Sequence, residues 1–191
     1  MSAFDVDAFI ADCVAARSEA SSILAVKEVL DRALSNAGAV ADVLPATTPE
    51  FTVLHASDEL TIAKVVWAPG MAVPPHDHLM WAVNGIYGGA EDNFFYRRSP
   101  EGLVEAGGRR VEARESAMLG TDVIHAVRNP AARSYCGSIH IYGGDYLAKE
   151  RSMWDAETLE EQPADGETVR RLFDAARASA GERAAGGVDD G

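Results

Sequence analysis

The chain has 191 residues, 47% hydrophobic and 25% charged, which suits one domain with a sizeable core and terminal additions. Seventeen basic residues stand against thirty acidic ones, a formal charge of −13, and such a field repels phosphate backbones and anionic bilayers, excluding nucleic acid and membrane surfaces as partners. The opening MSAFDVDAFIADC carries acids where a secretory signal carries bases, and no apolar run approaches the roughly eighteen residues of a spanning helix, so the chain reads as cytoplasmic.

From Phe4 to about Asn36 the residues Phe9, Ile10, Val14, Ile23, Val26, Val29, Leu30 and Leu34 recur at helical spacing, with Gly38 as a stop. One or two amphipathic helices are expected there, and residues 1–45 form an N-terminal helical segment packing on something larger. Cys13 and Cys136 lie far apart with no C-x-x-C spacing and read as buried, reduced thiols. ADVLPATTPEF, with Pro45 and Pro49, is a linker into different architecture. From Phe51 to Tyr142 short runs rich in Val, Ile, Phe, Tyr and Trp are broken by APG, PP, GG, SPEG and NPAA, which predicts seven or eight antiparallel strands in a barrel or sandwich. The chain is therefore mainly β, with the barrel over 50–155. After it, GETVRRLFDAARASA predicts one short helix and GERAAGGVDDG a disordered tail, within a C-terminal segment over 156–191. No internal repeat is visible.

All five histidines, His55, His76, His78, His125 and His140, fall in the strand-rich section. On a strand, positions i and i+2 share a face, so His76 and His78 can aim into a barrel while Asp77 points away. His125, in VIHAVRNP on a later strand, can complete a three-histidine metal site. In SIHIYGGD the same periodicity places Ser138, His140 and Tyr142 on one face, a polar row whose burial costs several kcal/mol unless its members satisfy one another or a ligand. His55 has no spacing relation to the others and reads as a barrel-edge residue. Trp67, Trp81, Phe94 and Phe95 read as core or pocket wall. The EDN before Phe94 and the RR at 97–98 read as turn and strand-edge charge without chemistry.

Gly70 followed by His76, Asp77 and His78 resembles the first cupin motif, and His125 with Asn129 resembles the H-x-x-x-N end of the second. The resemblance implies a cupin fold, a double-stranded β-helix or jelly-roll barrel. The glutamate that follows the second histidine in that motif is absent, Ala82 and Val83 standing there, and the usual proline and glycine before the third histidine are not at their offsets. These departures are similar to one cupin branch, the thiol dioxygenases related to cysteine dioxygenase, which use three histidines and no carboxylate. That branch also carries a Ser-x-His-x-Tyr row ending seventeen residues after the third histidine, the separation of Tyr142 from His125. GGDYLAKERSMWD resembles the bacterial enzymes that oxidise 3-mercaptopropionate, in which the arginine corresponding to Arg151 holds the substrate carboxylate. The early arginine of the animal cysteine enzymes and the cysteine that cross-links their tyrosine are both missing here.

The resemblance implies one Fe(II) per chain on His76, His78 and His125. The substrates it implies are O2 and a small carboxylate-bearing thiol, 3-mercaptopropionate ahead of cysteine, and the product is a sulfinate. Three neutral imidazoles leave a divalent ion its full charge and open positions, which suits an anionic thiolate. Tyr142 would donate a hydrogen bond to the reacting oxygen or thiolate, His140 would orient that hydroxyl, Ser138 would orient His140, and Arg151 would pair with the carboxylate. Two other readings stay open: a metal-dependent cupin enzyme acting on a non-thiol substrate, and a non-catalytic cupin that binds a small ligand. The protein is expected to be a monomer or small homo-oligomer.

Overall fold

The computed structural model describes residues 3–186, with side chains as far as residue 181. Helix α1 (Val6–Ala16) begins where the Asp5 carboxylate accepts the Ala8 N–H at 3.0 Å, satisfying one of the unpaired amides of the first turn. Helix α2 (Ser22–Leu34) buries Val26, Val29, Leu30 and Leu34 along one stripe. A third helix, α3 (Ala37–Val43), follows, so three form where one or two were expected, and Gly38 lies inside the third instead of ending the second. The break falls at Asn36, whose φ of −121° and ψ of 60° leave the helical region. Nothing surrounds the Gly38 α-carbon on its open side, so the helix absorbs the modest cost of an interior glycine.

Eleven strands follow among the described residues: β1 (Glu50–Ala56), β2 (Thr61–Trp67), β3 (Ala72–Asp77), β4 (Ala82–Gly88), β5 (Ala90–Ser99), β6 (Gly102–Glu112), β7 (Ser116–Leu119), β8 (Ile124–Arg128), β9 (Cys136–Tyr142), β10 (Arg151–Trp154) and β11 (Glu161–Ala164). They form two antiparallel sheets in the orders β1-β2-β9-β4-β7 and β11-β10-β3-β8-β5-β6. With β1 and the β10–β11 hairpin set aside as edge additions, the remaining eight strands have the order of a jelly roll, the double-stranded β-helix expected from the sequence. His55 lies half-buried on β1, at the edge of its sheet. Nine of them, β1–β9, fall in the stretch where seven or eight were expected, and β10 and β11 lie beyond it; β7, β10 and β11 have four residues each, too short to show an alternating pattern.

Alternation along the strands separates two cores. Ile62, Val83, Ile139 and Ile141 face outward against α1–α3, while Ala63, Val65, Trp67, Cys136 and Tyr142 face the barrel interior. Cys13 and Cys136 are buried free thiols, and burial pushes both up, Cys13 to about 12. Two motif residues prove to shape loops. Gly70 holds the β2–β3 turn at φ +70°, a conformation that favours glycine, and buried Asn129 donates to the Trp67, Ala68 and Ser134 carbonyls at 2.9–3.1 Å. Docking of α2 depends on Gly85, because a β-carbon there would lie 2.6 Å from Leu30 Cδ2 and 2.8 Å from Leu34 Cδ1. Gly85→Ala is expected to lower stability by about 1–3 kcal/mol through overpacking, read as a reduced denaturation midpoint with unchanged slope.

Beyond β11, Asp165 accepts the Thr168 N–H at 2.9 Å and starts α4 (Gly166–Gly186). This helix is longer than the short one expected and takes in the first residues of the stretch read as a tail; 187–191 lie outside the described residues. Its Phe173 ring stacks on Trp67 at 5.4 Å and tilts against Phe51 at 6.1 Å, which lays the helix across one mouth of the barrel. No helix among the described residues is long and apolar enough to cross a membrane.

Candidate metal centre

Strand β3 contains Pro74 and Pro75, which have no N–H for the ladder, and its register against β8 shifts by one residue between Val73 and His76. The bulge re-aims the strand so that His76 lies directly opposite His125 on β8, with His78 just past the strand end on the same side. One nitrogen from each of the three imidazoles falls within 4.8 Å of the others, and all three side chains are buried. His76 Nδ1 donates to Pro74 O at 2.9 Å and His125 Nδ1 donates to Asn93 Oδ1 at 2.7 Å. Because a carbonyl oxygen only accepts, these bonds leave Nε2 of both rings as lone pairs facing the cluster. His125 Nε2 and His78 Nε2 are 3.3 Å apart. Two nitrogens each about 2.1 Å from one ion would sit at about this separation.

Burial depresses the pKa of all three rings: His76 goes to about 4, and in His78 and His125 the neighbouring histidines add to the effect of burial. Neutral imidazoles with converging lone pairs are the donor set a divalent transition metal takes. Asn93 supports it from behind, and Asn93→Ala is expected to weaken metal affinity by about 10–100-fold, measured by competition against a chelator.

The cavity beside this cluster has a volume of about 30 Å³, room for about two waters. Tyr142 and Arg151 line it with the three histidines, and Val169 and Phe173 of α4 close one side. Tyr142 sits edge-on to His78 with centroids 5.2 Å apart and stacks on Tyr146 at 3.9 Å. Its hydroxyl is 3.1 Å from His140 Nδ1. Burial, with Tyr146 adding to it, pushes the phenol well above its ordinary pKa, so it stays protonated.

Arg151 is buried at the start of β10, with Nη1 donating to Tyr146 O at 2.6 Å and Lys149 O at 2.9 Å, and its guanidinium lies 3.9 Å over the Tyr146 ring. Its Nη2 is buried with no partner among the described residues. Asp77 points away from the cavity, as its spacing requires, yet it is buried: Oδ1 accepts the Ser152 N–H at 2.9 Å and ties the strand that begins with Arg151 to the one that carries His76. Burial raises the Asp77 pKa, although the Ser152 amide and Arg98 pull against it.

Two expectations are corrected. Ser138 does not orient His140. It lies opposite Val65 in the β2–β9 ladder and its hydroxyl donates to Val65 O at 3.1 Å. Nor is the EDN stretch a charged edge without a place in the site. Strand alternation turns Glu91 and Asn93 inward and only Asp92 outward, where it accepts from Arg110 at 2.7 Å and Arg128 at 3.0 Å. Glu91 is 0% exposed and accepts from Trp67 Nε1 at 2.9 Å and from Asn93 Nδ2 at 3.0 Å. His140 Nε2 lies 3.4 Å from Glu91 Oε2, close but poorly aligned. Burial alone would raise the Glu91 pKa, but the His140 ring, Asn93 and Trp67 outweigh it and hold the carboxyl below its usual range. The signal that could have found Glu91 and Asn93 is the same i, i+2 spacing used for the histidines. Of the expected site residues, His76, His78, His125, His140, Tyr142 and Arg151 meet around one cavity, and Ser138 stays apart from the chain of contacts.

No family profile matches the chain. Among solved structures, the chain is similar to an RmlC-like cupin family protein with a double-stranded β-helix fold from Methanocaldococcus jannaschii, at 12% identity over 53% of this chain and 85% of that one, with a TM-score of 0.45. It is also similar to a protein from Bacillus halodurans, at 15% identity over 55% and 77% of the two chains with a TM-score of 0.47. A cupin superfamily protein from Desulfitobacterium hafniense gives 17% identity over 56% and 88%, with a TM-score of 0.45. The fold assignment rests on the strand order described above.

Proposed function

We propose that this protein is an iron(II)-dependent thiol dioxygenase acting on a small carboxylate-bearing thiol, with 3-mercaptopropionate ahead of cysteine. The observation that carries the reading is the pairing, in one cavity of about 30 Å³, of three neutral histidines with a buried guanidinium nitrogen that has no partner among the described residues. An unpartnered cationic donor at the wall of that cavity suits a carboxylate. The reaction is RSH + O2 → RSO2⁻ + H⁺, in which sulfur gains both oxygen atoms and the thiol proton is released.

Iron held by His76, His78 and His125 would supply the Lewis acidity and redox chemistry that bring O2 and thiol sulfur together. Arg151 binds the carboxylate through Nη2, since both Nη1 protons are used on backbone carbonyls, and so sets the distance from carboxylate to sulfur. Stacking on Tyr146 holds the guanidinium plane in place. Tyr142 places its hydroxyl beside the reacting sulfur, and the Phe173–Trp67 stack excludes water from that side.

Oxygen uptake by the iron-loaded protein with a panel of thiols tests the reading, and absence of uptake with every thiol overturns it. Tyr142→Phe keeps the ring stack and removes only the hydroxyl, so turnover is expected to fall by about 10²–10³-fold with metal content unchanged. Turnover at the wild-type level would remove Tyr142 from the chemistry.

A further inference from the structure

We infer that Glu91 is the positioning residue that sets where the protons lie on the His140–Tyr142 pair, in the place expected of Ser138. The inference rests on the thiol reading for its chemical step, but its structural part stands apart from it.

Glu91 is wholly buried, and its two hydrogen-bond donors, Trp67 and Asn93, are neutral. Among the described residues, His140 is the one basic side chain within 4 Å of its carboxylate, through Nε2 at 3.4 Å. An anionic oxygen facing a bare nitrogen lone pair is repelled, and one facing an N–H is attracted, with little water to soften either. In its neutral form His140 therefore carries its proton on Nε2. Nδ1 is then the acceptor, and the Tyr142 hydroxyl 3.1 Å away donates to it. This turns the lone pairs of the Tyr142 oxygen toward the cavity.

A thiol entering the cavity can accordingly hand its proton to Tyr142. The S–H bond breaks and a new O–H bond forms on Tyr142, whose former O–H proton passes to His140 Nδ1. No electrons change hands, and the imidazolium so formed lies against the Glu91 carboxylate. The pair then stands reversed, with His140 Nδ1–H donating to the Tyr142 oxygen and Tyr142 donating to the thiolate. The same carboxylate reaches the metal cluster: Asn93 donates to Glu91 and accepts from His125 Nδ1 at 2.7 Å. One buried charge thus orders a histidine of the cluster and the proton path beside it.

The test is the ring tautomer of His140 in the full-length protein loaded with diamagnetic zinc, read from long-range proton–nitrogen correlations. The wild type is expected to show a single Nε2–H form, and a ring protonated on Nδ1, whether or not Nε2 is protonated too, overturns the inference without any variant. Glu91→Gln removes the charge and leaves one carbonyl for three donors, so the single form is expected to be lost; its survival in a folded variant overturns the inference. With thiol, and with rates taken per iron bound, the variant is expected to lose about 10²-fold or more in kcat/KM, and unchanged kcat/KM per iron overturns the proton path. If no thiol supports oxygen uptake in the wild type, the functional reading fails, whereas the tautomer measurement still decides the positioning role.

Discussion

Replacing His125 by alanine is expected to take the metal content of freshly purified protein from about one per chain to near zero and to abolish thiol-dependent oxygen uptake. His125 lies at the centre of the arrangement. It faces His76 across the ladder, its Nε2 is 3.3 Å from that of His78, and its other nitrogen is held by Asn93. Its loss leaves two imidazoles, one of them beyond the end of its strand, and deprives Asn93 Oδ1 of its donor in a buried setting. That unpaired acceptor costs about 1–3 kcal/mol, so a modest fall in unfolding midpoint should accompany the loss of metal. Elemental analysis and circular dichroism on one preparation separate the two effects. Retention of stoichiometric metal by a folded His125→Ala protein would show that the three-histidine cluster is not the site.

Arg151→Lys is expected to raise KM for a carboxylate-bearing thiol by about 10–100-fold, the worth of a charge-assisted hydrogen bond of 1.5–3 kcal/mol, with metal content and kcat far less affected. A lysine ammonium has the charge but not the geometry. The native guanidinium holds Tyr146 O and Lys149 O with one nitrogen, lies flat on the Tyr146 ring and still presents a second nitrogen. A thiol of similar size without a carboxylate supplies the control. The preference of the wild type for the acid over this neutral analogue should largely collapse in the variant. An equal effect on both thiols would place Arg151 among the supports of the barrel mouth instead of at the substrate.

Asp77 illustrates how the motif joins these two results. In His76-Asp77-His78 the outer residues turn inward and the middle one outward, and the outward carboxylate holds the amide of Ser152, the residue after Arg151. The cluster and the arginine are therefore fixed to each other by a residue with no place in the cavity. The β10–β11 hairpin, which brings Arg151 to β3, pairs with that strand only at Met153 and His76.

What the linear order carried by itself was periodicity and residue chemistry. The two-residue spacing of His76, His78 and of His140, Tyr142 assigned faces, the apolar runs assigned strands, and the stretch from Gly70 to Asn129 resembled a cupin barrel. These readings hold because a strand fixes side-chain direction locally, whatever it pairs with. Which inward groups meet was decided by register, bulge and packing, all products of pairing between distant segments. The prolines of β3 set His76 against His125, the β2–β9 ladder gave the Ser138 hydroxyl to Val65 O, and α4 brought Phe173 onto Trp67. Glu91 shows the limit most plainly. A glutamate between Ala90 and Asp92 reads as surface charge, and only closure of the barrel surrounds it with Trp67, Asn93 and His140, because burial of a carboxylate is a property of its neighbours in space.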